Sequence, residues 1–184
     1  MKGLKLTAVR YLRYLYQAHL SSPRHEREIY HTLRQAAPIT RIVQVGVGDG
    51  ALAQKVIQFT QQYAGDTQVE YTGIDMFEAR EQQDGMPLKQ AHKCLVATGA
   101  KIKLTPGTAS MALPRLANGL LKTQLLLIAA DQDSNDVNAA LSWLPRMLTE
   151  ESVIFWERLG NDGLHLEKLA LSDLSAPAPA RRAA

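Results

Sequence analysis

The sharpest chemical signal in the chain is the run Val45-Gly46-Val47-Gly48-Asp49-Gly50. It follows the short apolar stretch Ile42, Val43, Val45 and precedes a segment with helical character from Ala51 onward. A strand that ends in G-x-G-x-G can turn sharply into a helix, and its backbone N–H groups can approach a ligand with no Cβ in the way. That is the chemistry of a nucleotide or cofactor cradle, and an empty strand-to-helix turn uses the same residues. A second signal lies downstream, where Tyr71-Thr72-Gly73-Ile74-Asp75 ends the next β-rich run in a carboxylate. In doubly wound sheets that position faces the ligand crevice beside the first strand. A carboxylate there could accept both hydroxyls of a ribose; an ordinary strand-end or capping aspartate is the alternative.

Other candidates for chemistry are sparse. Asp131 and Asp133 follow the fourth apolar strand, where α/β proteins bind ligands, but Asp131-Gln132-Asp133-Ser134-Asn135 also reads as a helix N-cap. These two are the catalytic candidates. His92 and His165 are expected outside the crevice, and His19, His25 and His31 lack metal-ligand spacing, so all five read as surface or packing residues. Cys94 is the only cysteine, which excludes an intramolecular disulfide and a thiolate cluster. A hard divalent ion needs several oxygen ligands. Asp131, Asp133 and Glu157 supply only part of such a set, so no metal is expected.

The elements that must position these residues follow from periodicity. Residues 4–20 read as an amphipathic helix with Leu4, Ala8, Leu12 and Leu15 on its apolar face and Arg10 and Arg13 away from it. Pro23 breaks it, and a second helix is expected over residues 25–36. Together, residues 1–38 form a helical cap that packs on the sheet or acts as a lid. Strands are expected at 42–45, 69–74, 101–105, 124–129 and 152–156, with helices at 51–64, 86–98, 109–119 and 135–148. This alternation predicts an α/β fold: a doubly wound, Rossmann-like, mostly parallel sheet with helices on both faces and a core over residues 41–157. Residues 163–171 partly fit one further strand. A single domain is expected over residues 1–175, with a disordered Ala-Pro-rich tail at 176–184.

No apolar run approaches the roughly 18–20 residues of a membrane span. The N-terminus does not read as a secretory signal, so a cytoplasmic location is expected. The net charge is +3, and Lys2, Lys5, Arg10, Arg13, Arg24, Arg27, Arg34 and Arg41 crowd the first quarter. Without a basic stripe interleaved with stacking aromatics, this reads as a solvated helix face rather than a nucleic-acid surface.

The set Val45-Gly46-Val47-Gly48-Asp49-Gly50, then Gly73-Ile74-Asp75-Met76-Phe77-Glu78, resembles motifs I and II of class I S-adenosylmethionine-dependent methyltransferases. It is similar in particular to the macrocin/cephalosporin O-methyltransferase-like group. Residues 106–116 resemble that group's segment after strand three, and the likeness extends over about residues 41–156. The resemblance implies S-adenosylmethionine as cofactor. Gly46, Gly48, Asp49 and Gly50 would border its methionine moiety, Asp75 would hold the ribose and Met76 would lie against the adenine. Gly107 and Thr108 would sit at the adenine edge, with Thr108 where an aspartate usually contacts the amino group.

Three departures set the functional alternatives. Gln44 stands where the family often has an acid. Ala129-Ala130 and Phe155-Trp156-Glu157-Arg158 replace the aspartates of the metal-dependent relatives. The first expectation is a methyltransferase acting on an unidentified small molecule. The second is a non-catalytic binding or assembly protein of the same fold. Nicotinamide-dependent oxidoreduction is a third, since Gly46 to Ala51 also satisfies G-x-G-x-x-A. After strand five the family continues through a further helix and a strand hairpin, for which too few residues are expected to remain. The acceptor pocket would then be shallow, covered by the N-terminal helices, or completed by a second copy in a homo-oligomer.

Overall fold

The computed structural model describes residues 11–12, 14–20, 23–36, 38–80 and 86–174. The expected tail at 176–184, together with Leu4, Ala8 and Arg10 of the first helix, lies outside them. Six described strands form one sheet in the order β3-β2-β1-β4-β5-β6. They are β1 (Arg41–Val45), β2 (Glu70–Asp75), β3 (Lys101–Pro106), β4 (Thr123–Ile128), β5 (Leu148–Gly160) and β6 (Gly163–Leu169). Neighbours from β3 to β5 pair in parallel, and β6 runs antiparallel to β5. The helices are α1 (Arg27–Gln35), α2 (Ala51–Gln61), α3 (Leu88–Val96), α4 (Ala109–Leu116), α5 (Ser134–Ala140), α6 (Leu144–Met147) and α7 (Leu171–Leu174).

Strand alternation divides the core into two layers. Ile42, Tyr71, Leu125, Leu127 and Phe155 face one side, where they meet Ile29, Val56, Phe59 and Leu95 from α1, α2 and α3. Val43, Val45, Ile74, Leu126, Ile128 and Ile154 face the other, against Leu113, Val137, Leu144 and Met147 of α4, α5 and α6. Covered on both faces, β4 reads as a nearly unbroken apolar run.

The N-terminal segment belongs to the first layer. Ile29, Tyr30 and Leu33 of α1 are buried, with the Tyr30 ring 5.3 Å from that of Phe59. The described part of the first helix keeps Leu15 of the expected apolar face against the core but turns Leu12 outward. Tyr14, Gln17 and Ala18 are buried, whereas Leu12 is 64% exposed. Two features explain the rotation. The turn Tyr16–Leu20 is π-helical, which shifts the residues that share a face. Tyr14 is also drawn inward by a 2.8 Å hydrogen bond to His31 Nδ1 and by the Arg34 guanidinium 4.1 Å over its ring.

Two other expectations change, and one is met. The helix expected over 135–148 is broken into α5, a 3₁₀ turn Leu141–Trp143, and α6. Pro145 is tolerated in the first turn of α6 but would disrupt the interior of one continuous helix. Strand β5 extends well beyond 152–156 at both ends. The further strand that residues 163–171 partly fit is β6, which folds back on β5 because Asn161-Asp162 link Gly160 directly to its partner Gly163, at φ +104°. No described helix is long and apolar enough to cross a membrane.

Removing the residues before Pro38 uncovers the α2 and sheet surface that Ile29, Tyr30 and Leu33 cover, and the truncated chain is expected to aggregate. The variant Ile29→Ala is expected to lose about 2–5 kcal/mol in denaturant unfolding. A soluble truncation with cooperative unfolding would contradict this packing.

Candidate functional site

The sheet order reverses between β1 and β4, and a crevice opens at the carboxyl ends of these strands. The glycine loop enters it with Gly46, Gly48 and Gly50 all at positive φ (+86°, +58° and +74°). Their reasons differ. A Cβ on Gly46 would come within 2.6 Å of Ala129 Cβ, so this glycine lets the loop after β4 close against it. A Cβ on Gly48 would meet nothing within 4 Å, so there the requirement is conformational and the space above is open. The loop is braced from beneath by Gln44, whose amide donates to Gly46 O at 2.7 Å. The Gln44 oxygen accepts from the Tyr71 hydroxyl at 2.9 Å. Burial pushes the Tyr71 pKa up, and the nearby Asp75 carboxylate adds to this, so the hydroxyl stays a neutral donor.

Asp75 lies beneath the loop, 1% exposed. Its Oδ2 accepts from Val47 N at 2.5 Å, Gly48 N at 3.0 Å and Arg80 Nη2 at 2.7 Å. Its Oδ1 accepts from Phe77 N at 3.0 Å and Arg80 Nε at 2.7 Å. Burial acts to raise the Asp75 pKa, but the Arg80 guanidinium and the Phe77 and Gly48 N–H groups outweigh it. The carboxyl is held below its ordinary value of 3.8. Arg80 Nη1 also pairs with Asp131, so one guanidinium spans from the end of β2 to the loop after β4.

Arg80 was not marked by the sequence reading. It reaches back because a 3₁₀ turn, Phe77–Ala79, follows Asp75 directly, with Phe77 at φ +50° and its ring buried. An aspartate at a strand end with an arginine one short turn later is the signal that could have found it.

A cavity of about 680 Å³ opens over the loop. Gly46, Gly48, Asp49 and Asp131 line it, as do Gln44, Val47, Ala129 and Ala130. Its far wall comes from the N-terminal cap and β5. His25 Nε2 lies 3.2 Å from Glu157 Oε1, and Lys55 Nζ lies 3.0 Å from Glu26 Oε2. Burial raises the Glu26 pKa, with Lys55 offsetting part of the effect. His25, read from sequence as a surface or packing residue, is thus at the cavity wall. Its pairing partner is 132 residues away.

The remaining expected residues are placed elsewhere. Gly50 is the N-cap of α2, and Asp49 Oδ1 accepts from Ala51 N at 2.9 Å while its residue borders the cavity. Asp133 caps α5 through Asn135 N at 2.8 Å and does not line the cavity. Met76, Gly107 and Thr108 lie on the β2–β3 side, where Gly107 N donates to Asp75 O at 2.9 Å. Thr108 is the N-cap residue of α4, and Asp136 accepts from Ser110 N at 3.1 Å and from the Ser110 hydroxyl. A carboxylate therefore stands at this helix N-terminus, supplied by α5. Among the described residues no group of three or more His, Cys, Asp or Glu side chains converges as a metal site would.

With this geometry in place, the solved structures decide the fold. A protein described as an rRNA methylase from Clostridium thermocellum aligns with TM-score 0.56 at 11% identity, over 78% of this chain and 75% of its own. The chain has the fold of class I methyltransferases. An S-adenosylmethionine-dependent methyltransferase from Clostridium acetobutylicum aligns with TM-score 0.53 at 14% identity, over 84% of this chain and 57% of its own. The methyltransferase CalH, solved with SAH, aligns with TM-score 0.54 at 14% identity, over 82% of this chain and 39% of its own. No protein-family model and no curated protein sequence matches the chain.

Asp75 contributes stability that is fully present above its ordinary value of 3.8 and is lost as pH falls through its lowered folded value. Asp75→Asn is expected to lose about 3–5 kcal/mol near neutral pH, because Arg80 loses its buried partner. Its unfolding free energy should also change less between pH 5 and 2 than that of the wild type. A variant with unchanged neutral stability and the same acid limb would show that the carboxylate carries no such load.

Proposed function

We propose that the chain binds S-adenosylmethionine and transfers its methyl group to a small-molecule acceptor in the cytoplasm. The observation that carries this reading is the cavity of about 680 Å³ directly over Gly46, Gly48 and Asp49, at the strand ends where this fold binds ligands. Its size suits a cofactor's end plus a small acceptor. The open space above Gly48 is a fit for the methionine moiety, and Gly46, Gly48 and Asp49 would border it. Asp75 stands on the ribose side, with Met76, Gly107 and Thr108 beyond it toward the adenine.

When bound, the cofactor supplies an electrophilic methyl group on a sulfonium. The protein's part is to hold an acceptor in line with that methyl inside a partly enclosed cavity, where proximity and orientation account for much of the rate. The His25–Glu157 pair on the opposite wall offers a proton acceptor near an incoming hydroxyl or amine. Leu159 and Leu164, both exposed at the hairpin and lining the cavity, offer an apolar rim to the acceptor's body.

A second reading, a non-catalytic binding or assembly protein, draws on the same site. Both oxygens of Asp75 already carry donors, and Gln44 holds a neutral amide where the family often has an acid. Calorimetric titration with S-adenosylmethionine, S-adenosylhomocysteine and NAD separates the alternatives. The proposal expects binding of both sulfur compounds and none of NAD, then transfer of radiolabelled methyl into a small-molecule cell extract. Binding without transfer to any extract fraction favours the second reading; binding of NAD alone contradicts both.

A further inference from the structure

We infer that Arg80 is a built-in competitor for the nucleoside end of the cofactor, occupying in the free protein the carboxylate that a ribose would use. This rests on the S-adenosylmethionine reading above. A carboxylate presents about four lone-pair sites. Asp75 already has five donors: the backbone N–H groups of Val47, Gly48 and Phe77, and the Nε and Nη2 atoms of Arg80. No site is left for a ribose hydroxyl. The three backbone donors belong to the loop and the turn themselves and cannot leave without unmaking them. Arg80 is the exchangeable one. Its side chain is 17% exposed, on a long flexible stem, and its outer nitrogen already rests on the half-exposed Asp131.

The same geometry makes Arg80 a bar across the crevice. It runs from Asp75 at the end of β2 to Asp131 after β4, on the edge of the glycine loop. The open cavity accordingly reaches residues 46–49 and Asp131 but does not include Asp75, Met76 or Thr108. Binding a nucleoside requires Arg80 to leave and two ribose hydroxyls to take its place on Asp75. Bidentate, charge-assisted bonds are roughly twice as strong as neutral ones, so the closed arrangement competes effectively. A bar that is closed in about nine molecules of ten weakens apparent affinity about tenfold.

The test is calorimetric titration of the full chain and of Arg80→Ala and Arg80→Lys with S-adenosylhomocysteine, adenosine and 2′-deoxyadenosine. Thermal unfolding first checks that each variant is folded. Arg80→Lys keeps a cation beside Asp75 but not the planar fork, so it reports even where Arg80→Ala does not fold. Expected is about tenfold or greater tightening of S-adenosylhomocysteine and adenosine in Arg80→Ala, a smaller gain in Arg80→Lys, and weaker binding of 2′-deoxyadenosine than of adenosine to Arg80→Ala, because it has one hydroxyl fewer to place on Asp75. Wild-type binding that is unchanged or weakened in the folded variants overturns the inference while leaving the cofactor reading intact. Equal affinity for adenosine and 2′-deoxyadenosine in folded Arg80→Ala overturns it too, because the ribose diol would then not be the group that Asp75 holds. Absence of binding in all three proteins overturns the cofactor reading and this inference together.

Discussion

The Asp75 carboxylate is the constraint on which the rest of the site depends. A loop that turns out of β1 through three positive-φ glycines leaves backbone N–H groups without helical or strand partners, and buried donors of that kind are costly unless satisfied. Asp75 satisfies two of them at once, through Val47 and Gly48, and a third at the start of its own turn through Phe77. Parallel pairing of β1 with β2 is what delivers the carboxylate there, with Val45 opposite Ile74 and Gly46 N donating to Ile74 O at 2.8 Å. Gly73 makes the approach possible, since a Cβ there would lie 2.7 Å from Val47 Cγ2. A buried carboxylate so placed needs a cation, and Arg80 supplies it. The loop's shape, the strained backbone at Phe77 and the bar across the crevice follow from one buried charge.

Around that centre, paired polar side chains stitch elements that are distant in sequence. Arg80 joins β2 to the loop after β4, His25 joins the N-terminal cap to β5, and Lys55 of α2 holds Glu26 just before α1. The packing energy of the cap comes from Ile29, Tyr30 and Leu33, while the pairs at its edge fix where the cavity wall stands. Partly buried pairs of this kind contribute modestly to net stability but are costly to break one-sidedly. They therefore define a position more than they stabilise a fold. In the reading proposed here, that position is the acceptor side of a methyl-transfer site.

Much of this was legible in the residues. Unbroken apolar stretches such as Leu125-Leu126-Leu127-Ile128 could only be central parallel strands, and the glycine run with its downstream aspartate located the crevice. What escaped were features set by tertiary contact. Leu12 and Leu15 fit a helical period, but only Leu15 packs against the core; a π-helical turn and the pull of His31 on Tyr14 leave Leu12 outside. His25 shows nothing in its neighbours that points to Glu157, because the pairing exists only once the short turn Arg24–Glu26 packs beside β6. Asp133 could be read as a site residue or a cap, and its bond to Asn135 N makes it a cap. Arg80 is five residues from Asp75 but reaches it only through a left-handed Phe77, which no propensity favours.

The most direct test of the central claim is a crystal structure of the chain with S-adenosylhomocysteine. The account predicts the ligand lying along the loop over Gly46, Gly48 and Asp49, its ribose hydroxyls on Asp75 and the Arg80 guanidinium moved away from that carboxylate. A ligand bound elsewhere, or bound in the crevice with the Asp75–Arg80 pair intact, would contradict it.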